Sequence, residues 1–403
     1  MRMRTELGLA LIALSLAPGV VTALNLQLKP SLHVKGQYDD NVFRAPDNAA
    51  PGTAPRTADR LVHYGVGARL TLRESLQELE VRGDRDRIDY ARLNALDHDR
   101  YLLGAQARLA LASTLKLKLD AGRERKQESF IFRDDTEPGF ILVDQAAAEL
   151  RYAATPRWTG ITRAARYVSK ASRPSSKDYD LEENTGELGV EYRRNGYSML
   201  GLGLRQASGK YPNRIIVPGD GREKDYTQQS VLSRIGYTPS GLSDLTAQLA
   251  YTQRMHRDPA VRDFSGVTGR LAYARKFSGI SRLRLEAYRD LYYVEDINAN
   301  YVENLGLRAS YDYRWSPKVA LAVSAERYDS SYRGSPSVNG NGQQREDAVL
   351  GLRIGMDYQP FYRFSILPEY RYEQRDSNFS NSRYDFSVIG VDLAYTYGAR
   401  AAR

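Results

Sequence analysis

Hydrophobic and polar residues alternate along most of the chain after residue 60. In residues 101–111, one face carries Tyr101, Leu103, Ala105, Ala107, Leu109 and Leu111, and the other carries Gly104, Gln106 and Arg108. The same alternation returns in residues 115–121 and 347–358. A period of two is the side-chain period of a β-strand, and no helical period competes with it. The pattern therefore predicts strands with one apolar and one polar face.

Turn-forming residues interrupt the alternation about every 40 residues, and the turns alternate with long polar stretches. Short turns are predicted near residues 73–75, 112–113, 155–156, 193–196, 239–241, 277–279, 315–317 and 359–360. Long loops are predicted at 45–59, 84–99, 125–139, 170–184, 209–225, 256–263, 290–300, 330–345 and 374–382. This arrangement predicts an all-β fold: a transmembrane antiparallel up-and-down β-barrel of about 18 strands, with short periplasmic turns and longer extracellular loops.

A β-propeller is an alternative that repeats at a similar interval. Its repeat would hold four short strands and a Trp-Asp pair. Here each interval holds two strands of about ten residues, and Trp158 and Trp315 are followed by Thr159 and Ser316. The barrel accounts for the sequence better.

The first 23 residues have the pattern of a secretory signal peptide. Arg2 and Arg4 precede an apolar run from Leu7 to Leu16, which is too short to span a bilayer as a helix. Small residues up to Ala23 suit a cleavage site, so residues 24–403 are expected to form the barrel. We expect the protein in the outer membrane of a Gram-negative bacterium.

Composition adds constraints on partners. The chain has 403 residues, 42% of them hydrophobic, no Cys and a net charge of +9. Its mean hydropathy is −0.54, as expected when only every second strand residue faces lipid. The absence of Cys excludes disulfides and thiolate chemistry. No basic tract suggests nucleic acid, so the expected contacts of the Lys and Arg side chains are the lumen, the loops and lipopolysaccharide.

Tyrosine dominates the aromatic residues, with 29 Tyr against 10 Phe and 2 Trp. Aromatic residues gather beside the predicted short turns: Tyr152, Trp158, Tyr192, Tyr197, Tyr237, Tyr273, Phe277, Tyr311, Tyr313, Trp315, Tyr358, Phe361 and Tyr362. Tyr and Trp suit a membrane–water boundary because they join an apolar ring to a polar tip. The cluster predicts a periplasmic aromatic girdle, although strands in general are enriched in Tyr.

Catalytic chemistry is scarce in this sequence. The four histidines, His33, His63, His98 and His256, lack metal-ligand spacing, and no phosphate-binding or dinucleotide motif stands out. We expect no catalytic residues, no metal and no cofactor. A barrel enzyme acting on lipid or polysaccharide stays a formal alternative, because it would need only a Ser or Thr nucleophile beside one of these histidines.

Arginines recur on the predicted lumen face near the short turns. They are Arg69, Arg108, Arg151, Arg193, Arg234, Arg270 and Arg314. Carboxylates share that face, so these arginines either brace the wall as ion pairs or form a basic ring that attracts an anionic solute. In the seventh strand, the parity of Ile161 and Tyr167 would point Arg163 at lipid, which is costly near the membrane midplane. The opposite parity or a bulge is the alternative there.

The last strand, residues 387–397, resembles the C-terminal assembly signal of outer-membrane barrels, with Gly390, Leu393 and Tyr395 in its characteristic places. Val388 and the extension beyond Gly398 depart from that pattern. The resemblance implies that the barrel assembly machinery is a partner.

Near the N-terminus, the first strand leads into Tyr38, Asp39, Asp40, Asn41, Val42, Phe43 and Arg44. This motif, followed by hairpins to the end of the chain, resembles the outer-membrane β-barrel porin family encoded in exopolysaccharide gene clusters. Locally, Asp39, Asp40 and Asn41 could close the strand with a turn, and Phe43 could then fold back against the rim or lumen.

The resemblance implies a passive conduit that exports an acidic or neutral polysaccharide, together with periplasmic and inner-membrane export proteins. A general or sugar/anion uptake porin is the first alternative, and the barrel enzyme is the second. Fewer than about 40 residues separate the predicted cleavage site from the first long loop, so we expect no N-terminal plug domain of the kind that an energised transporter needs.

Overall fold

The structure is a computed structural model that describes residues 25–49, 52–133, 135–214, 225–256, 263–292, 299–333 and 344–397. The predicted signal peptide, residues 1–23, and the C-terminal extension from Gly398 lie outside the described residues. The division between signal and barrel at Leu24 therefore stays a prediction.

Eighteen antiparallel strands form one closed sheet, in which each strand pairs with its neighbours in sequence and β1 also pairs with β18. The strands are β1 (Asn25–Asp39), β2 (Asp59–Glu74), β3 (Gln77–Tyr90), β4 (His98–Ala110), β5 (Leu115–Gln127), β6 (Phe140–Ala153), β7 (Trp158–Ala171), β8 (Leu181–Asn195), β9 (Ser198–Lys210), β10 (Tyr226–Ser240), β11 (Ser243–His256), β12 (Phe264–Ser278), β13 (Ser281–Tyr292), β14 (Tyr301–Ser316), β15 (Val319–Arg333), β16 (Glu346–Phe361), β17 (Phe364–Ser377) and β18 (Tyr384–Thr396). The prediction of an up-and-down barrel of about 18 strands is confirmed.

Short 3₁₀ helices lie in the long connections of the described chain, at Asn94–Leu96, Phe130–Phe132, Pro174–Tyr179 and Ser380–Ser382. No helix within the described ranges is both long and apolar enough to cross a membrane.

The eight short turns separate the predicted strand pairs, but one of them is displaced. Gln359 and Pro360 lie inside β16, where the pairing register shifts between Tyr358 and Phe361, and the turn follows at Tyr362 and Arg363. Arg363 has a φ of +75°, the left-handed conformation that closes this turn. The irregular pairing at this strand end lets β16 continue through the proline, which would interrupt a regular ladder.

The strands are longer than the predicted ten residues and extend into several predicted loops. β13 has 12 residues and β14 has 16, and β3 continues to Tyr90, through the first half of the loop expected at 84–99. A tilted strand needs about 9–11 residues to cross the hydrocarbon. The extra residues therefore carry the wall beyond the membrane.

Pairing defines the two faces of the wall, since directly opposed residues on neighbouring strands point the same way. The outer face carries exposed apolar side chains such as Leu32, Val66, Leu204 and Leu307. The turn-proximal aromatic residues Tyr152, Trp158, Tyr237, Tyr311 and Trp315 are also exposed, and Trp158 packs against Tyr192 with ring centroids 4.8 Å apart. This is the arrangement of a membrane-embedded barrel with an aromatic belt at one end.

The seventh strand has the parity opposite to the one that exposes Arg163 to lipid. Arg163 lies opposite Glu149 on β6 and Glu187 on β8, both of which face the lumen. Ile161, on the same face, is buried. The charged side chain is therefore in the water-filled interior, where its hydration is retained.

Candidate functional site in the barrel lumen

All seven arginines predicted to form a lumen ring lie on inward-facing positions of the wall. Arg108, Arg151, Arg193 and Arg314 are next to the periplasmic ends of their strands, whereas Arg69, Arg234 and Arg270 lie farther along the wall. The pairing register thus distributes them along the pore rather than gathering them in one ring.

Six of the seven form ion pairs with carboxylates on the same strand or on a strand one or two positions away. The pairs are Arg69–Glu80 (3.5 Å), Arg108–Glu78 (3.0 Å), Arg193–Glu191 (3.7 Å), Arg151 with Glu149 (3.2 Å) and Glu191, Arg234 with Glu187, and Arg270 with Glu286 (3.1 Å) and Asp290 (3.0 Å). Such ladders brace the wall and reduce the net charge that each arginine presents to a solute.

Glu187 is the centre of the tightest of these networks. Its side chain is 2% exposed and accepts hydrogen bonds from Arg205 Nε (2.9 Å) and Nη2 (2.8 Å) on β9, and from Arg234 on β10. One carboxylate therefore holds two guanidinium groups, so this part of the wall keeps one uncompensated positive charge. Arg205 was not among the predicted residues.

The lumen face of β9–β12 is the most one-sidedly basic part of the described wall. It carries Arg205, Arg234, Arg254, Arg270 and Lys276 against the single carboxylate Asp244. The carboxylates that pair with these cations, Glu187, Glu286 and Asp290, stand on the flanking strands β8 and β13. A solute that approaches this wall meets the guanidinium groups first.

A row of hydroxyl groups lies between Arg205 and Arg270. Ser230 Oγ is 3.0 Å from Thr252 Oγ1, which is 2.8 Å from Thr268 Oγ1. The three residues face one another across β10, β11 and β12, and with the two arginines they line a cavity of about 360 Å³. Ser230 and Thr252 are buried and bond each other, so the row presents the half-buried Thr268 to the cavity. A hydroxyl held in this way between two cations suits a polar solute that carries a negative charge.

The motif at residues 38–44 forms a fixed turn at the extracellular end of β1. Asp39 accepts two hydrogen bonds of 2.8 Å from the Arg44 guanidinium and one of 3.0 Å from the backbone amide of Asn41. The Asn41 side chain, fully buried, donates to the carbonyl oxygens of Ala45 (2.8 Å) and Asp385 (2.9 Å). Tyr38 points outward instead and is exposed.

The same turn is attached to the last strand of the barrel. Asp40 accepts a 2.7 Å hydrogen bond from the Ser387 amide, and the Arg44 guanidinium lies 3.6 Å from the centre of the Phe386 ring. The segment after β1 therefore spans the seam where β1 meets β18.

Beyond the turn, the chain packs against the inside of the extracellular mouth. Val42 and Phe43 belong to a buried cluster with Leu61, Ile88 and Tyr90, which are lumen-facing residues of β2 and β3. Leu96 and Phe130, from the next two long connections, complete it, and Phe130 meets Phe43 edge to face at 5.0 Å. Three connections thus fold inward and narrow this end of the pore.

A charged cluster fixes the neighbouring connection between β5 and β6. Arg173 Nη2 lies 2.8 Å from Asp135, and Arg133 also bonds this carboxylate. Burial raises the pKa of Asp135, but the hydrogen bonds from Arg133 and Arg173 outweigh that effect, so the net pKa lies below its usual value. Asp135 is therefore ionised at neutral pH, and it holds the connection between β5 and β6 to the connection between β7 and β8.

The histidines do not assemble into a reactive group. His33 lies on the lumen face, 2.9 Å from Asp86, and His63 shares that face on β2. His98 begins β4 and His256 ends β11, far from each other along the sheet. Across the described ranges, no group of three or more His, Asp or Glu side chains is placed to hold a metal ion.

Comparisons with known proteins place this architecture among porins. No protein-family model matches the chain, and no curated protein matches it. Among solved structures, it is similar to Pseudomonas aeruginosa OccK2 (OpdF), with a TM-score of 0.51 and 13% identity over 93% of this chain and 98% of that one. P. aeruginosa OccK9 (OpdG) gives a TM-score of 0.50 and 14% identity over 93% and 99%. A BenF-like porin from Pseudomonas fluorescens Pf-5 gives 0.50 and 13% over 93% and 99%.

These likenesses correct the function predicted from the sequence. The resemblance to outer-membrane β-barrel porins is confirmed, but its association with exopolysaccharide clusters is not shown. The prediction of an exopolysaccharide export conduit is wrong: the solved structures with this fold are porins such as the BenF-like porin, which supports the uptake-porin alternative. They are not enzymes. The chain therefore has the fold of Gram-negative outer-membrane porins, a closed antiparallel barrel of 18 strands.

Proposed function

We propose that this protein is an uptake porin for small anionic solutes that also carry hydroxyl groups, such as sugar acids. The observation that carries the proposal is the lumen wall of β9–β12, where Arg205 and Arg270 flank the hydroxyl row of Ser230, Thr252 and Thr268. The role of the arginines predicted from sequence is part of this proposal.

Electrostatics and size both support this function. Rows of arginine along a pore lower the energy of an anion inside it, and the neighbouring carboxylates keep the wall from binding the anion too tightly to release it. The inward-folded connections at residues 41–45, 94–96 and 130 narrow the extracellular mouth, and a narrow mouth favours small solutes over a polymer.

The test is conductance of the purified barrel in planar lipid bilayers. Under a salt gradient, we expect a reversal potential that shows preference for chloride over potassium. Glucuronate is expected to reduce the ion current at lower concentration than glucose, because the two sugars are close in size but differ in charge. Equal blocking by both sugars, or cation preference, would contradict the proposal.

Substitutions in the lumen test whether the basic wall causes the block by glucuronate. Arg205→Gln combined with Arg270→Gln should weaken glucuronate block about a hundredfold, since two charge-assisted hydrogen bonds of about 1.5 kcal/mol each are lost. Arg327→Gln is the matched control, because Arg327 is exposed on the outer face of β15, opposite Leu307 and Leu350. It removes the same charge without changing the lumen.

The likeness of residues 38–44 to porins of exopolysaccharide clusters adds no export role to this proposal. Inspection of the neighbouring genes would test that association directly. Genes for uptake and breakdown of a small acid beside this one would support the present proposal.

A further inference from the structure

The outer wall of β7–β11 contains a groove that the lumen function does not use. Its volume is about 610 Å³, and most of its lining residues point away from the lumen. Those used below are Gly186, Leu188, Leu204, Val231 and the three glutamines Gln206, Gln229 and Gln253.

The groove exists because large side chains are missing from one place on the outer face. Gly186 occupies an outward position on β8, and a Cβ built there meets nothing within 4 Å. Thr162, also on the lining, is small and exposed. On either side, Leu188 and Leu204 stand out from the wall, 62% and 63% exposed.

Polarity changes abruptly along this groove. On the periplasmic side, Leu188, Leu204, Val231 and Tyr251 form one directly paired row across four strands. The next outward row toward the outside is Gly186, Gln206, Gln229 and Gln253, again directly paired. Beyond it, Arg166 lies opposite Asn184 and bonds Glu182 at 3.2 Å. Over two successive rows, the outward-facing residues therefore change from apolar to charged.

The three glutamines are available for a ligand. All three are exposed, and none of their side-chain amides hydrogen-bonds to another residue in the described part of the chain. Each amide both donates and accepts. Three adjacent amides at the upper edge of an apolar groove match a molecule with an alkyl chain joined through amide, ester or hydroxyl groups to a polar head.

We propose that this groove binds an acylated glycolipid of the outer leaflet, with one acyl chain along Leu188, Leu204 and Val231 and the sugar head hydrogen-bonded to the glutamine row. A second barrel is the alternative occupant, and the test below distinguishes it from a lipid. The inference concerns the outer wall and does not depend on the proposed transport function.

The test measures lipid retained by the purified barrel, using native mass spectrometry after delipidation and exposure to purified lipopolysaccharide or to phosphatidylethanolamine. The wild-type barrel should retain lipopolysaccharide in preference to the phospholipid. Gly186→Leu fills the groove and should reduce retention of lipopolysaccharide about tenfold, the effect of losing about 1.4 kcal/mol of binding free energy.

Gly36→Leu is the matched control. Gly36 also faces outward, on β1, and its Cβ would meet nothing within 4 Å, but it lies outside the groove. Retention by this variant should equal that of the wild type. Conductance and resistance to sodium dodecyl sulfate should be unchanged in both variants, which separates loss of the lipid from loss of the fold.

A second variant tests the head-group contact and replaces the first if Gly186→Leu does not fold. Gln206→Leu, Gln229→Leu and Gln253→Leu together should abolish the preference for lipopolysaccharide over phospholipid while leaving acyl-chain binding intact. The proposal is overturned by unchanged retention in this variant, by equal retention of both lipids in the wild type, or by a barrel dimer that Gly186→Leu dissociates without any change in bound lipid.

Discussion

At the scale of single residues, the lumen is organised by carboxylates that each serve more than one arginine. Glu187 holds Arg205 and Arg234, and Glu286 lies 3.1 Å from both Arg270 and Arg284. A shared carboxylate fixes two long side chains in place while leaving excess positive charge on the wall. This makes the position of each guanidinium, rather than the number of arginines, the determinant of what the pore attracts.

Glu187→Gln is expected to make the pore more selective for anions and the barrel less stable. The amide leaves two guanidinium groups facing each other, which should shift the reversal potential toward chloride and lower the free energy of unfolding by about 1–3 kcal/mol. Urea unfolding in detergent and bilayer recordings measure the two effects.

Glu369→Gln provides the comparison for that variant. Glu369 is 32% exposed and pairs only with Arg353, at 3.2 Å, among the ion pairs of the described chain. Its loss should change stability by no more than about 1 kcal/mol. Equal effects of the two substitutions would show that sharing of the carboxylate is unimportant.

At the scale of elements, the beginning of the long connection after β1 folds inward and is fixed by two kinds of contact. Polar bonds of Asp39, Asn41 and Arg44 hold its turn, and Phe43 anchors it to the apolar cluster inside the mouth. The narrow mouth depends on this packing, so weakening it should widen the pore without changing the strands.

Phe43→Ala is expected to raise single-channel conductance and to destabilise the mouth cluster by about 3 kcal/mol, the usual effect of removing a buried phenyl ring. Phe361→Ala is the control, since Phe361 is 73% exposed at a periplasmic strand end. Unchanged conductance in Phe43→Ala, with the control behaving as wild type, would mean that this segment does not limit the pore.

The sequence predicted the strands wherever one face meets lipid and failed where neither does. Beyond the apolar band, β3 bears Arg85, Arg87 and Asp89 outward and Asp84 and Asp86 inward, so apolar alternation is lost there and this part was predicted as a loop. Parity in β7 was ambiguous because its outward Thr162, Ala164 and Arg166 are not strongly apolar.

The candidate site was less accessible to sequence reasoning than the fold. Alternation placed the seven arginines on the inward face, but their partners depend on the register between strands, which one sequence does not display. The row of Ser230, Thr252 and Thr268 exists only because β10, β11 and β12 pair as they do. Arg205 was missed because it lies on an odd-numbered strand, outside the pattern of turn-proximal arginines on even-numbered strands.

At the scale of the whole molecule, the barrel separates lipid outside from water inside with a wall that is a single β-sheet. Neighbouring residues of one strand therefore experience opposite environments. On β16, Leu350 faces outward and is 47% exposed, whereas Gly351 faces the lumen opposite Glu326 and Glu373.

Two adjacent substitutions test this separation. Leu350→Arg should lower the stability of the barrel in lipid by about 2–4 kcal/mol if it lies near the bilayer midplane. Gly351→Arg should be tolerated, because a Cβ there meets nothing within 4 Å and two carboxylates face it. Folding titrations in lipid vesicles measure both variants, and similar losses in the two would refute the assignment of the faces.

The bridge between the segment after β1 and β18 also constrains the order of events in biogenesis. Asp40, Asn41 and Arg44 contact Ser387, Asp385 and Phe386, which belong to β18, the last strand of the barrel. The entrance is consequently shaped by the first and the last strand of the barrel together. An intermediate that has inserted its early hairpins but has not yet docked its final strand still lacks a finished entrance, so completion of the entrance coincides with closure of the cylinder.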